Sequence, residues 1–387
     1  MITNPPQPQT PPSTAADRHL DHLDGLRALA ALFVVLHHSW LTVWPTIYNR
    51  EPHGLARPLT WVFLYGHFAV AVFIVLSGFC LMLPVVAHDG VLKGGALHFF
   101  KKRARRILPP YYLSIAFSTL VIVTLIKHRT GTHFDMCIPL TFHAYWTHLL
   151  LLQDVFGDPG INHALWSVAV EWHIYFLFPL LLIAWRKWGG PWATFLTMAA
   201  GYIIYFAIRR TSYGGITPHF LALFALGMLG AAIATSTADQ WKRLRENVPW
   251  YPVAAVTFAM VIGFCAYSPW EKAFRQFPLL DLIGSVGVVG LLVATTTNPV
   301  DKLRNLLSTK PLVWCGRFAY SIYLIHAVIV QAVYQHLVMP FGLPDWQAFL
   351  ALILTVTPAT IAVSYLFFLG CERPFLTPKL KRAQLPS

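Results

Sequence analysis

Ionisable side chains set within apolar runs are the residues of this sequence most able to do chemistry. The run DGLRALAALFVVLHHSW carries Arg27 and, eleven residues later, His38. On a helix, eleven residues come within about 20° of three full turns and rise about 16 Å, so the two share one stripe and His37 is turned about 80° away. An arginine holds anions, and a neutral imidazole, with an ordinary pKa near 6.5, can accept a hydroxyl proton. In FFKKRARRILPPYY, Arg103 and Arg106 are spaced i, i+3 and share a face, an orientation suited to bidentate phosphate binding. The following Pro109 and Pro110 are expected to start a membrane span and so to set the height of those arginines. LWSVAVEWHIYFLFP places Glu171 five residues past Trp166, which reads as just inside the opposite membrane face. AYSIYLIHAVIV carries Tyr323 and His326, the latter in the middle third of its run, and Glu372-Arg373-Pro374 reads as a helix-end cap. An ionisable group inside a span faces a protein interior or an aqueous cavity by default, which makes these residues candidates for function.

The elements that must position them are membrane helices. Of 387 residues, 56% are apolar and only 12% charged, and the mean hydropathy is +0.55. Apolar runs recur near residues 26–45, 61–87, 107–126, 138–156, 165–185, 191–208, 216–235, 250–268, 277–296, 312–337 and 347–370. About 20 such residues cross a bilayer as a helix, and the alternating pattern of an outer-membrane barrel is absent. The run 138–156 holds two histidines, a glutamine and an aspartate, and loop charge decides its fate. If it does not cross and the N-terminus is cytosolic, 19 basic residues lie inside against 8 outside; if it crosses, the bias reverses. The positive-inside rule favours the first arrangement. The expected fold is therefore an all-α polytopic membrane protein of about ten transmembrane helices, both termini cytosolic, with 138–156 re-entrant or interfacial.

Residues 1–19, rich in Pro and Thr, read as a disordered cytosolic tail and not a signal peptide. Residues 20–375 read as one membrane domain, and 376–387 as a basic cytosolic tail. The net charge of +13 sits in the gaps between apolar runs, which is loop bias and not a nucleic-acid surface. The five cysteines are scattered, without CxxC or metal-ligand spacing, so neither a disulfide framework nor a metal site is expected.

Taken in order, these motifs resemble the acyltransferase-3 family, the integral-membrane acyltransferases that O-acylate glycans and some secondary metabolites. The resemblance runs from about Leu20 to Pro374. It rests on Arg27 and His38 in DGLRALAALFVVLHHSW, on Ser77-Gly78-Phe79, on Arg103 and Arg106 in KKRARRILPPYY, on Trp166, Ser167 and Glu171, on Tyr323 and His326, and on the closing Glu372-Arg373-Pro374. It implies ten spans, an acyl-CoA donor on the cytosolic side, no permanently bound cofactor, and an acceptor often presented on the far side. It also implies that Arg27, His38, Arg103 and Arg106 are essential. His37 stands where relatives more often carry an aromatic residue. The chain ends after the tenth span with no appended SGNH hydrolase-like domain, so direct transfer, or an acceptor met at the membrane itself, is expected.

The expected activity is transfer of an acetyl or other short acyl group from acyl-CoA to a hydroxyl of a glycan or glycosylated small molecule, in a bacterial inner membrane. Arg27, Arg103 and Arg106 would hold the donor, His38 would act as base, and Glu171 and His326 would orient the acceptor or complete a relay. CoA is a good leaving group, so this chemistry asks for no metal. A transporter or flippase for a glycolipid or small anion is the competing class, since it too places Arg, His and Glu inside the membrane. Transporters often show internal repeats, and none is visible here.

Overall fold

The computed structural model describes residues 20–376, apart from positions 49, 51, 53, 55, 212 and 214. The Pro-rich segment 1–19, and the basic segment 376–387 beyond its first residue, lie outside the described residues. Among the described residues all regular structure is helical. The helices used below are α1 (Asp21–Val43), α2 (His67–Val86), α3 (Gly95–Val121), α4 (Phe142–Leu149), α5 (Trp166–Trp188), α6 (Gly190–Ile208), α7 (Phe220–Thr235), α8 (Asp239–Asn247), α9 (Trp250–Tyr267), α10 (Phe277–Thr297), α11 (Ala319–Val333) and α12 (Asp345–Phe367), with shorter helical turns between them.

The chain is a multi-pass membrane protein. Nine segments among the described residues are long and apolar enough to cross a bilayer. A tenth arises if α7 and α8, bent by 94° at their junction, are taken as one span. With 16 residues, α7 reaches only about 24 Å, short of a hydrocarbon core about 30 Å thick. The polar α8, DQWKRLREN, turns away and buries Trp241.

The run 138–156 does not cross. Its longest helix, α4, has eight residues and spans about 12 Å. The segment is laid against α3: the hydroxyls of Tyr111 and Tyr112 donate to the carbonyls of His148 and Leu149 at 2.9 and 3.0 Å. Gln153 Nε2 donates to the Tyr111 hydroxyl and the Leu165 carbonyl at 3.0 and 2.9 Å.

Two glycines set the closest helix contact. A methyl group at Gly78 on α2 would strike the backbone of Phe224 on α7, and one at Gly227 on α7 would strike the backbone at Val75 and Phe79. Small residues allow this approach, and dispersion between the two backbones supplies the attraction that lipid cannot. The Gly of SGF is therefore a packing residue, with Phe79 fully buried beside it. By contrast α6 and α9 present Phe195, Ile203, Val256 and Met260 outward as lipid-facing walls. Replacing Gly227 by valine is expected to cost about 1–3 kcal/mol or more through overpacking against a backbone that cannot yield. Size-exclusion chromatography in detergent would show this as loss of the monodisperse species; an unchanged profile and melting temperature would refute it.

One sequence expectation is corrected. Pro109 and Pro110 do not start a span; they lie inside α3, which begins fourteen residues earlier at Gly95. Proline lacks an N–H, which removes the intrahelical partners of the Arg105 and Arg106 carbonyls. A membrane helix tolerates this when neighbouring groups repair the backbone. Here the Tyr320 hydroxyl of α11 donates to the Ile107 carbonyl at 3.2 Å, one residue past the two freed carbonyls, which ties the proline segment to the bundle without repairing them. Arg103 and Arg106 consequently sit well along the helix and not at its mouth.

Candidate active site

Two connected cavities hold the arginines. The larger, about 1290 Å³, is lined by Asp24, Arg27, Cys80, Arg106, Arg245, Arg304, Arg317, Tyr320 and Glu372. Its walls are partly helix ends. Arg245 Nη1 donates to the Ile233 and Ala234 carbonyls near the C-terminus of α7 at 3.1 and 2.9 Å. Arg304 Nη1 reaches the Thr295 and Thr296 carbonyls of α10 at 3.4 Å each. These guanidiniums satisfy carbonyls that a helix end leaves without partners. The inner cavity, about 260 Å³, is lined by Arg27, Ser77, Cys80, Arg103, Arg106, Ser167, Glu171, Tyr175, Tyr320 and Tyr323. Arg27, Cys80, Arg106 and Tyr320 border both.

Arg27 is held by Asp24, one turn back on α1, and its Nη2 donates to Cys80 Sγ at 2.9 Å. Arg103 lies over the rings of Phe99 and Tyr175, each 5.8 Å from the guanidinium carbon. Arg103 Nε is buried without a hydrogen-bond partner, an unmet donor that costs stability unless a ligand satisfies it. The Tyr175 hydroxyl donates to Glu171 and lies 2.9 Å from Ser77 Oγ. Glu171 is thus gathered with the arginines; the early start of α3 carries Arg103 far enough along to meet it. The cap residue Glu372 accepts from Ser321 of α11 and also borders the larger cavity.

Ser167 and Tyr323 meet in the lining of the inner cavity. Their hydroxyls are 2.6 Å apart, and Tyr323 donates to the Ala164 carbonyl at 2.9 Å. Packed on Tyr323 through His326, with ring centroids 5.7 Å apart, is a cluster of imidazoles. His38 Nδ1 is 2.8 Å from His163 Nε2, with the rings stacked at 4.6 Å. His326 meets His38 edge-on at 4.8 Å, and its Nδ1 donates to the Tyr323 carbonyl at 2.7 Å. His133 sits 5.1 Å from His163, and burial lowers its pKa from the ordinary 6.5 to about 4. His37 turns aside and donates from Nδ1 to the Phe63 carbonyl at 2.7 Å.

The structure therefore sorts the six sequence candidates into two groups. Arg27, Arg103, Arg106 and Glu171 face the cavities, whereas His38 and His326 join the imidazole cluster, with Tyr323 between. His163, His133 and Cys137 were not singled out from sequence. They lie in the connection between α3 and α5, where no periodicity marks them. The one available signal was that INHALWS sets His163 three residues ahead of Trp166. No group of His, Cys, Asp or Glu among the described residues is arranged to hold a metal ion.

Residues 20–369 match the family model described as an acyltransferase domain, acyltransferase 3. The chain belongs to the acyltransferase-3 family. YrhL of Bacillus subtilis (strain 168) is 27% identical over 392 residues, covering 94% of this chain and 56% of that protein. The peptidoglycan O-acetyltransferase OatA of Listeria monocytogenes is 24% identical over 385 residues, covering 92% and 56%. Nodulation protein 10 of Rhizobium leguminosarum bv. viciae is 28% identical over 204 residues, covering 49% and 52%. The chain thus spans about half the length of these relatives. No solved structure matches it.

Proposed function

We propose that this acyltransferase-3 chain moves a short acyl group, acetyl foremost, from acyl-CoA to a hydroxyl of a glycan or glycosylated molecule. The observation that carries the reading is the pair of arginine-lined cavities that share a wall, the inner one lined also by Tyr323, with the His38–His163 pair joined to that tyrosine through His326. A polyanion fits the first part, and proton transfer fits the second. Peptidoglycan O-acetylation by a relative favours a glycan acceptor. The charge bias of the loops favours ten spans with both termini cytosolic, which puts the larger cavity on the donor side.

In this reading the CoA phosphates sit among Arg27, Arg106 and the other arginines of the larger cavity, and the pantetheine arm enters the inner one past Arg103. The thioester reaches the Tyr323–Ser167 boundary. The acceptor hydroxyl gives its proton to His38 as its oxygen bonds to the thioester carbonyl carbon. The carbon–sulfur bond then breaks, and the departing thiolate takes the proton from His38. Glu171 holds Tyr175 and balances Arg103, while His326 borders the acceptor side.

The test combines purified protein, radiolabelled acetyl-CoA and cell-envelope glycan. Label is expected to move to the glycan as an alkali-labile ester, and CoA is expected to raise the melting temperature in detergent. No transfer from any short acyl-CoA, together with no stabilisation by CoA, would overturn the proposal in favour of transport.

A further inference from the structure

We propose that Cys137, acting through His163, fixes the tautomer and orientation of His38, which makes it a positioning residue for the acyl transfer proposed above; the inference rests on that reading.

The contacts run in series. Cys137 closes the short helical turn His133–Cys137 after α3 and is fully buried. Its Sγ is 3.1 Å from His163 Nδ1 and receives the main-chain N–H of His163 at 3.3 Å. The Ile161 N–H donates to the Cys137 carbonyl at 3.1 Å, so the two strands of chain are clamped on both sides of the ring. On the opposite edge of that ring, Nε2 lies 2.8 Å from His38 Nδ1.

A neutral imidazole has one N–H, so each ring in the series donates from one nitrogen and accepts at the other. The sulfur already accepts the main-chain N–H. If it also accepts from His163 Nδ1, then His163 Nε2 is the acceptor, His38 Nδ1 is the donor, and His38 Nε2 keeps a bare lone pair. That lone pair is the base the reaction needs. The reverse order puts the proton on His38 Nε2 and removes the base. The partner of the far nitrogen decides which order holds, as with any histidine whose second nitrogen is anchored. A thiol can also donate, which would give the reverse order; the proposed order is the one in which the thiol hydrogen points away from His163 Nδ1, and it places no anion beside His38, His133 and His163. Burial pushes the Cys137 thiol up, which favours its neutral form. His37 and His326 are already committed through Nδ1 to main-chain carbonyls and are fixed independently of the sulfur.

The experiment is a double-mutant cycle. Cys137→Val removes the acceptor and adds one methyl group, and Cys137→Ala, which adds none, controls for overpacking; both are expected to lower kcat about tenfold or more with the donor KM unchanged, and Cys137→Ser to recover to within about threefold. In a His163→Gln background, where the amide can meet His38 but not the sulfur, Cys137→Val is expected to cost less than about twofold. Equal losses in both backgrounds would mean that the sulfur only fills space and would overturn the proposal. Carbethoxylation of His38 by diethyl pyrocarbonate, followed by mass spectrometry, reads the same lone pair without substrate. It should slow in Cys137→Val and not in Cys137→Ser, with Cys137→Ala used if valine does not fold. Should the wild-type chain transfer no acyl group while this dependence persists, the function fails and the positioning role stands. Unchanged carbethoxylation in the valine and alanine variants defeats the positioning role alone.

Discussion

Replacing His38 with alanine should reduce acyl transfer by about 10²–10⁴-fold, the usual contribution of a general base, while leaving CoA binding intact. The separation follows from the layout: the arginines line the cavities, whereas His38 belongs to the imidazole cluster through His163 and His326. CoA-dependent thermal stabilisation and transfer rate, measured on the same preparation, check both halves. His37→Ala is the matched control, because His37 is turned to the Phe63 carbonyl and its ring covers Gly66. It should melt lower by the loss of one buried hydrogen bond, about 1 kcal/mol, and keep most activity. A dead His37→Ala beside an active His38→Ala would move the base by one residue and void the proton path described above.

The second large effect is expected at the donor. Removing both Arg103 and Arg106 should weaken CoA binding by about 10²-fold or more, since a hydrogen bond to a charged group contributes about 1.5–3 kcal/mol. Lysine at both positions should recover only part, lacking the planar fork. The structure supplies the control that a simple flank of positive charge would lack. Arg103 and Arg106 are half-buried and border the cavities, whereas Lys101, Lys102 and Arg105 in the same run are exposed. Arg105→Ala should therefore bind CoA as the parent does. Equal losses at Arg105 and Arg106, measured by calorimetry in detergent, would reduce the whole run to membrane-surface charge.

Much of this was legible in the chain, and the limits have physical causes. The i, i+3 spacing of Arg103 and Arg106 and the eleven-residue interval from Arg27 to His38 are properties of a helix, so sequence alone gave their faces. The height of the arginines was not legible, because a double proline usually breaks a helix, yet here it lies inside α3. That Glu171 lines the same cavity as Arg103 and Arg106 was not legible either, because its company depends on how far α3 extends. His163 and Cys137 escaped notice for a different reason. They sit in irregular chain, and the His163–His38 bond joins residues 125 apart, a distance across which no period connects them.

The glycine contact between α2 and α7 bears on how a substrate can get in and out. Gly78 and Gly227 interlock the two backbones and leave no slack for one rod to slide along the other. Ser77 and Cys80 of α2, which border the inner cavity, must then travel with α7, whose end carbonyls are gripped by Arg245. Together they form a stiff plank. Any breathing of the donor chamber is thereby assigned to the pieces around that plank, since Arg245 of α8 also pins the bent α7–α8 junction to it.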